Sequence, residues 1–440
     1  MDHFIASQQA DEEADDSDQQ VLSYLLISFL CAELSCQFQA RRRSERRHYL
    51  TQPLLLPNPQ VDTPWQCLLA SRSDRGFITM MGFDVDTFEY ILSRGFRAIW
   101  DGLVIRRSDT NRHGKARPGR RSLDAEGGLG LVLHYLSSTM SETSLQQIFA
   151  LIPSTVSRYV SFGLSTLLKV LRKAPDAAIR WPQGEEFSYL NSLIIRRHPL
   201  LTGAFASIDG LNLPVQTSSD EDIKNVTYNG WLHAHFVSSV LVFSPEGTSL
   251  FAPSHSCSWI LGVILSANLN APGSWHDARV ARPIYHKLRD AIPDNFYLVA
   301  DSAFPRGAEA IAQRIKAPLR AGQCLEGTVQ DINSRLAFDR QLLSFRQTAE
   351  WGNHCLKAAF GRLRVLLEIK HKNRRGNLLE VCIRAHSLRT RRIGHNQIQT
   401  VYVPQWQGEG AEFSDFTNLL FSEQRANDRV SQFHTMAIYE

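Results

Sequence analysis

The chain has 440 residues, of which 43% are hydrophobic and 21% charged, so it can build two or three domains and is too apolar to be disordered or fibrous as a whole. Its 48 Lys and Arg against 44 Asp and Glu leave a formal charge of +4, so affinity for nucleic acid has to come from where the basic residues sit. Seven cysteines, an odd number without a CxxC pair or zinc-type Cys/His spacing, exclude a disulfide framework and fit a reducing compartment.

The first 20 residues carry DEEADDSD and read as a solvated acidic tail. The apolar run VLSYLLISFLCAEL (21–34) follows acidic rather than basic residues and is shorter than the roughly 18 residues a membrane span needs. Neither a signal peptide nor a span is expected there, only one short amphipathic helix. Next comes QARRRSERRHYL (39–50), then an extended linker punctuated by Pro53, Pro57, Pro59 and Pro64. The basic run suits a phosphate-contacting or nuclear-localisation patch and equally a solvated helix face. A second basic stretch, RRSDTNRHGKARPGRR (106–121), ends in Arg120 and Arg121 and reads as a mobile loop. The boundaries that follow are 1–60 for tail, short helix and basic linker, largely disordered, 61–200 for a helical region, 201–402 for an α/β domain and 403–440 for a C-terminal tail.

From Ser122 the apolar spacing turns helical, with Leu129, Leu133 and Leu136 on one face and a break over 137–141. In the helix that follows, Val156, Val160, Gly163, Leu164 and Leu167 form one stripe, Ser154 after Pro153 suits an N-cap, and Arg158 and Ser161 point outward. A helix, a tight turn and a helix with a polar outer face fit a helix-turn-helix, and also any helical hairpin packed on its neighbour.

Beyond Leu201, AFASIDG (204–210), HAHFVSSVLVFS (233–244) and NFYLVADSAF (295–304) read as strands, and a long helix is predicted over about 340–367. This is an α/β layout with acidic residues where strands end. Asp209 closes an apolar strand and is followed by Gly210, Asp301 repeats the arrangement, and Glu350 lies on a helix whose apolar face carries Leu356, Phe360 and Leu363. Two strand aspartates and a helix glutamate offer the hard oxygen ligands with which Mg²⁺ or Mn²⁺ clamps the oxygens of a phosphoryl transfer. Taken singly, each acid serves as readily as a turn former, cap or surface charge.

The strings ASIDG, YNGWLHAHFVSSVLVFSPEG, NAPGSWHDARV, YLVADSAFP and RQTAEWGNHCLKAAFGRLRV, with RRSLDAEGGLGLVLHYLSSTMSETSLQQIFALIPSTVSRYV upstream, span roughly 64–402. They resemble PIF/Harbinger-type transposases, more closely the fungal members. The resemblance implies an RNase H-like DDE nuclease domain preceded by a helix-turn-helix-like DNA-binding region. It implies Asp209, Asp301 and Glu350 as a catalytic, metal-binding triad, Asp277 as a fourth metal-associated carboxylate, and a divalent cation, Mg²⁺ or Mn²⁺, as cofactor. The activity implied is cutting of DNA phosphodiesters at element ends with strand transfer. Double-stranded DNA, a Myb-like partner protein and a homo-oligomer are the expected partners, with no membrane, and the nucleus is the expected location.

Two points stay open on the residues alone. Ser274 and Asp277 also have the spacing of a capping box, which needs no metal, and His276 reads as a packing or hydrogen-bonding histidine. The segment FAPSHSCSWILGVILS (251–266) exceeds the expected length and interrupts a strand. As a surface loop it costs little entropy; as a disruption of the strand it would leave a DNA-binding protein without nuclease activity. A metal-dependent nuclease acting on other nucleic acids is a third reading. Phosphate contacts are expected from 41–47, from 106–121 with Arg120 and Arg121, and from Lys370, Lys372, Arg374 and Arg375, with Arg158 and Ser161 on the reading helix.

Overall fold

A computed structural model of the chain describes residues 21–39, 58–106, 115–245, 262–305, 311, 314–320, 323 and 325–393. The acidic tail, the basic run at 41–47, residues 107–114 of the second basic stretch and the C-terminal tail fall outside those residues. The apolar run near the start is one helix, α1 (Val21–Gln39), and its 19 residues correct the expected short one. The helix continues through Ser35, Cys36, Gln37 and Phe38, none of which breaks it, and it is wholly exposed. By length and composition it is able to cross a membrane.

Seven helices follow: α2 (Pro64–Ser71), α3 (Asp74–Met81), α4 (Val85–Ile91), α5 (Arg97–Gly102), α6 (Ala125–Ser137), α7 (Glu142–Phe149) and α8 (Pro153–Lys173). Side chains of Thr63, Ser73, Asp84, Asp124 and Ser141 cap five of them by accepting a backbone N–H three residues on. The expected Ser154 cap is not among these. Residue Ile152 takes the N-cap position of α8 without a side-chain bond and Pro153 opens the helix, where its missing N–H costs nothing.

The glycines of GGLG explain how this bundle closes. Each glycine inside a helix costs about 1 kcal/mol relative to alanine. A Cβ on Gly128 would stand 2.5 Å from the Trp100 ring, and one on Gly130 would stand 2.3 Å from the Trp65 ring. The two indoles therefore lie directly on the α6 backbone, and both are buried. Gly163 does the same for α8, against Val132.

After α9 (Glu186–Ile195) the chain enters a mixed sheet, so the fold is α/β. Strand β1 (Ala204–Pro214) pairs antiparallel with β3 (Ala234–Phe243), which pairs antiparallel with the short β2 (Tyr228–Asn229) and with β4 (Ile264–Pro272). On the other side of β1, β5 (Tyr297–Val299) and then β6 (Ile315–Lys316) run parallel to it. Helices α10 (Glu221–Thr227), α11 (Asp277–Val280) and α12 (Arg282–Asp290) lie in the connections, and α13 (Val329–Ala359) and α14 (Lys372–Arg392) close the described chain.

Alternation along β1 sends its side chains to two cores. Ile208, Val240, Val242 and Leu298 pack with Val280, Ile284 and Leu288 from α11 and α12. Leu211, Leu213, Leu241 and Phe243 share a single core with Ala349 and Leu356 of α13, with α14 and with the tryptophans of the N-terminal helices. The helical region and one face of the sheet are thus packed as one body.

Two expectations change. The long helix starts at Val329, well before residue 340, because Thr328 and Asp331 form a reciprocal capping box, and it stops at Ala359, where Phe360 turns extended. Of the 251–266 segment, 251–261 lies outside the described residues, but Ile264 and Ser266 belong to β4 and pair with Phe243 and Val242 of β3. The N–H of Ser244 already bonds the Val263 carbonyl at 2.9 Å. The β3–β4 ladder is therefore formed, and the strand is not disrupted where it is described.

Candidate active site

Register places the first two carboxylates. Ser207 of β1 lies beside Val299 of the parallel β5; two residues on, Asp209 stands within β1 opposite Leu241 of β3, not at the strand end expected for it, because β1 runs on to Pro214, while Asp301 lies just past the end of β5. Strand β5 stops at Val299, so Asp301 stands at the mouth of the sheet, its Oδ1 accepting the Ser302 N–H at 2.6 Å. The third acid arrives on α13, which is held flat against this face. Gly352 allows that approach, since a Cβ there would stand 2.6 Å from the Phe243 ring, and Thr348 Oγ1 meets Ser207 Oγ at 3.0 Å.

From that position α13 presents a polar stripe at spacings of four, three and four: Arg346, Glu350, Asn353 and Lys357. The Arg346 guanidinium bridges two of the acids, Nη1 lying 3.1 Å from Asp301 Oδ1 and Nη2 2.7 Å from Glu350 Oε1. Asn353 is buried and donates from Nδ2 to Asp209 Oδ2 at 2.9 Å and to the Gly210 carbonyl at 3.0 Å. Burial pulls the Lys357 ammonium down, and the Asp209 charge pulls it back up. Arg346, Asn353 and Lys357 were not among the residues expected from sequence; helical spacing from Glu350 was the signal that marked them.

Asp277 comes from the opposite face. The capping-box reading does not hold, because the cap of α11 is His276, whose Nδ1 accepts the Ala278 N–H at 3.3 Å, while Ser274 lies outside the helix. Freed from that task, the Asp277 carboxylate rests on Gly210, where a Cβ would stand 2.3 Å from Oδ2. Gly210 makes no turn, since it continues β1 opposite Val240; its missing side chain instead lets a fourth carboxylate reach the first.

The acids feel one another. Burial pushes the Asp209 carboxyl up to about 6; the Gly210 N–H and the Asn353 amide pull it down, while the charges of Glu350 and Asp277 raise it further. Burial also raises Asp277, with His276 lowering it and Asp301 adding to the rise. Negative charge is thus gathered beyond what local cations offset. All the donors are hard oxygens, which suits Mg²⁺ or Mn²⁺ rather than a softer ion. The buried Asn353 Oδ1 beside Asp209 has no hydrogen-bond partner among the described residues, and buried amide oxygens are rarely left so. Among the described residues no three His, Cys, Asp or Glu side chains stand close enough to share one ion; between Asp301 and Glu350 the Arg346 guanidinium stands instead.

The basic residues divide into two groups. Arg120 and Lys372 are exposed, as is Ser161 on α8. Arg121 is not free for phosphate as expected, because its guanidinium donates to the carbonyls of Trp100 and Leu103 and lies over the Trp100 ring. Arg375 is likewise structural, donating from Nε to Asn270 Oδ1 at 2.6 Å and from Nη1 to the Glu368 and Ile369 carbonyls at 2.9 Å. Arg158 folds back on its own helix, bonding the Ser154 carbonyl at 2.8 Å and Thr155 Oγ1 at 3.0 Å. Arg374 faces Glu368 at 3.6 Å and Glu142 at 3.9 Å.

Residues 208–386 match the sequence model of a family described as DDE superfamily endonuclease. The match takes in all four carboxylates, supports a DDE transposase-type family for this part of the chain, and suggests a transposase-like nuclease acting on DNA, a class that generally uses divalent metals. Comparisons with curated proteins and with solved structures give no match.

Proposed function

We propose that this chain is a PIF/Harbinger-type transposase, an RNase H-like DDE endonuclease that cuts DNA phosphodiesters at element ends with Mg²⁺ or Mn²⁺ and transfers the strand. One observation carries the reading: Asp209 within β1 and Asp301 just past the end of the parallel β5 each follow the paired Ser207 and Val299 by two residues, while α13 brings Glu350 to Asp301 through Arg346. Three carboxylates from three elements at one sheet edge have no packing purpose and cost stability.

Asp209, Asp301 and Glu350 would hold the metal, with Asp277 behind Gly210 as a fourth carboxylate. Bound there, divalent cations supply charge stabilisation to the attacking and leaving oxygens of the phosphodiester. The chain's own part is orientation. Asn353 fixes Asp209 by donating to one of its oxygens while tied to the Gly210 backbone, and Lys357 extends the α13 stripe with a positive charge suited to a scissile phosphate. Arg120 and Lys372 suit phosphate contact, and α8, with Ser161 exposed and Arg158 able to contribute only by leaving its bonds to Ser154 and Thr155, follows a helix and a three-residue turn as a base-reading helix would. Double-stranded DNA, a nuclear location, a Myb-like partner and a homo-oligomer belong to the same reading.

The test is nicking of supercoiled DNA by wild type and Asp301→Asn, each with Mg²⁺, with Mn²⁺ and with chelator. Metal-dependent nicking by wild type that disappears in the variant is the expected result. DNA binding without nicking in any metal would replace the reading with that of a DNA-binding protein without nuclease activity.

A further inference from the structure

Resting on the metal reading above, we infer that Arg346 is a built-in stand-in for the metal: its guanidinium holds Asp301 and Glu350 together until a divalent cation displaces it. The side chain is a positioning residue with two states rather than a permanent strut.

The geometry supports displacement. Arginine binds carboxylate most firmly when two parallel N–H groups meet the two oxygens of one carboxylate. Here the fork is split, with Nη1 on Asp301 Oδ1 at 3.1 Å and Nη2 on Glu350 Oε1 at 2.7 Å. The Nε is buried with no partner among the described residues. The carboxylates that it joins are about half exposed, at 43% and 47%, so each pair is screened and weak. One part of the guanidinium is thus unsatisfied and the rest is held by contacts that water competes for, which is a poor design for a permanent strut. A cation between these two acids nevertheless offsets their like charges. Arginine also explains why the carboxylates come close without forming a compact ion cage: a planar guanidinium holds them further apart than a single ion does. With the metal bound, Arg346 is released to face solvent or the incoming phosphate.

The experiment titrates full-length wild type, Arg346→Gln, Arg346→Lys and Asp301→Asn with Mn²⁺, following free Mn²⁺ by electron paramagnetic resonance, and records melting temperature with and without the ion. Loss of the competitor should tighten Mn²⁺ binding in Arg346→Gln by about three- to tenfold, the scale of two half-exposed ion pairs. The same variant should melt lower than wild type in chelator and regain the difference in saturating Mn²⁺. Arg346→Lys should fall between the two. Equal or weaker Mn²⁺ binding by Arg346→Gln, or a melting deficit that the ion does not repair, overturns the stand-in role and makes Arg346 a plain strut. Absence of Mn²⁺ binding in wild type and Arg346→Gln alike overturns the metal reading itself, and binding undiminished in Asp301→Asn places the ion elsewhere.

Discussion

In the helical body, Trp65 and Trp100 lie on Gly130 and Gly128 with no room for a methyl group, and side chains cap the neighbouring helices. On the sheet, next to the same continuous core, Asp277 rests on Gly210 beside Asp209, which one amide holds, and a split arginine joins Asp301 to Glu350. The first region spends helix propensity to gain contact, so every substitution inward should cost stability. The second keeps charges that destabilise it, so the right substitution there should gain stability and lose function. That opposition of sign can be tested.

The largest effect is expected at Asp209. Asp209→Asn should reduce metal-dependent nicking at least about a hundredfold, the low end of losses from removing one charge-stabilising group. It should also stabilise the metal-free protein by about 3 kcal/mol at neutral pH, because the folded carboxyl titrates near 6 instead of its ordinary value near 3.8. The sign follows from which state holds the proton. Between those values the folded chain keeps a proton that the unfolded chain gives up, so wild-type stability falls as pH rises through that window. Urea unfolding in chelator should show the variant's advantage at neutral pH and its disappearance near the lower value. An equal advantage at both would assign it to packing.

Next in size comes Gly130→Ala. On an open helix face this change gains about 1 kcal/mol. Here the new methyl carbon would sit 2.3 Å from the Trp65 ring, and overpacking should instead cost about 2 kcal/mol. Urea unfolding that shows a gain would mean that Trp65 has room to move and that the body is less tightly closed than its glycines imply.

His386 of α14 carries the comparison into pH. It is buried and held down to about 4, chiefly by burial, with the Arg389 charge helping. A histidine depressed in the fold gives stability that is present above its unfolded value and lost as pH falls toward the folded one. Between about pH 7 and pH 5 that loss should be about 2 kcal/mol, and His386→Leu should flatten it. Acid thus weakens the helical body over much of the range in which protonation of Asp209 relieves the sheet edge.

Much of this was legible in the sequence, and for particular reasons. Asp209 and Asp301 could be located because each interrupts an apolar run; Asp301 does so where its strand ends, whereas Asp209 stays within β1 and its position inside the strand was not legible. Glu350 is placed on a helix by the spacing of Leu356, Phe360 and Leu363, of which only Leu356 belongs to that helix, since it ends at Ala359; the buried stripe is Ala349, Gly352 and Leu356. The role of Asp277 was not legible, because its contact with Gly210 joins residues far apart in the chain and leaves no local pattern. Arg346 and Asn353 were missed because charge and amide on a long polar helix look like a solvated face; only packing against β1 gives them partners. The capping boxes illustrate both outcomes: Thr328 with Asp331 forms one, whereas Ser274 with Asp277 has the spacing and does not, since His276 already caps α11.

The smallest effects separate two adjacent arginines that composition cannot tell apart. Arg121 donates to the Trp100 and Leu103 carbonyls and covers the Trp100 ring, which ties the segment after Lys115 to the helical body. Arg121→Gln should therefore cost about 1 kcal/mol in urea unfolding, the ordinary worth of such bonds, and leave the salt dependence of DNA binding unchanged. Arg120 is exposed and free to meet phosphate. Arg120→Gln should leave unfolding unchanged, weaken DNA binding a few-fold, and reduce the slope of log affinity against log salt by about one unit. Were the two variants to exchange these outcomes, the basic loop would be turned the other way, with Arg121 serving DNA and Arg120 serving the fold.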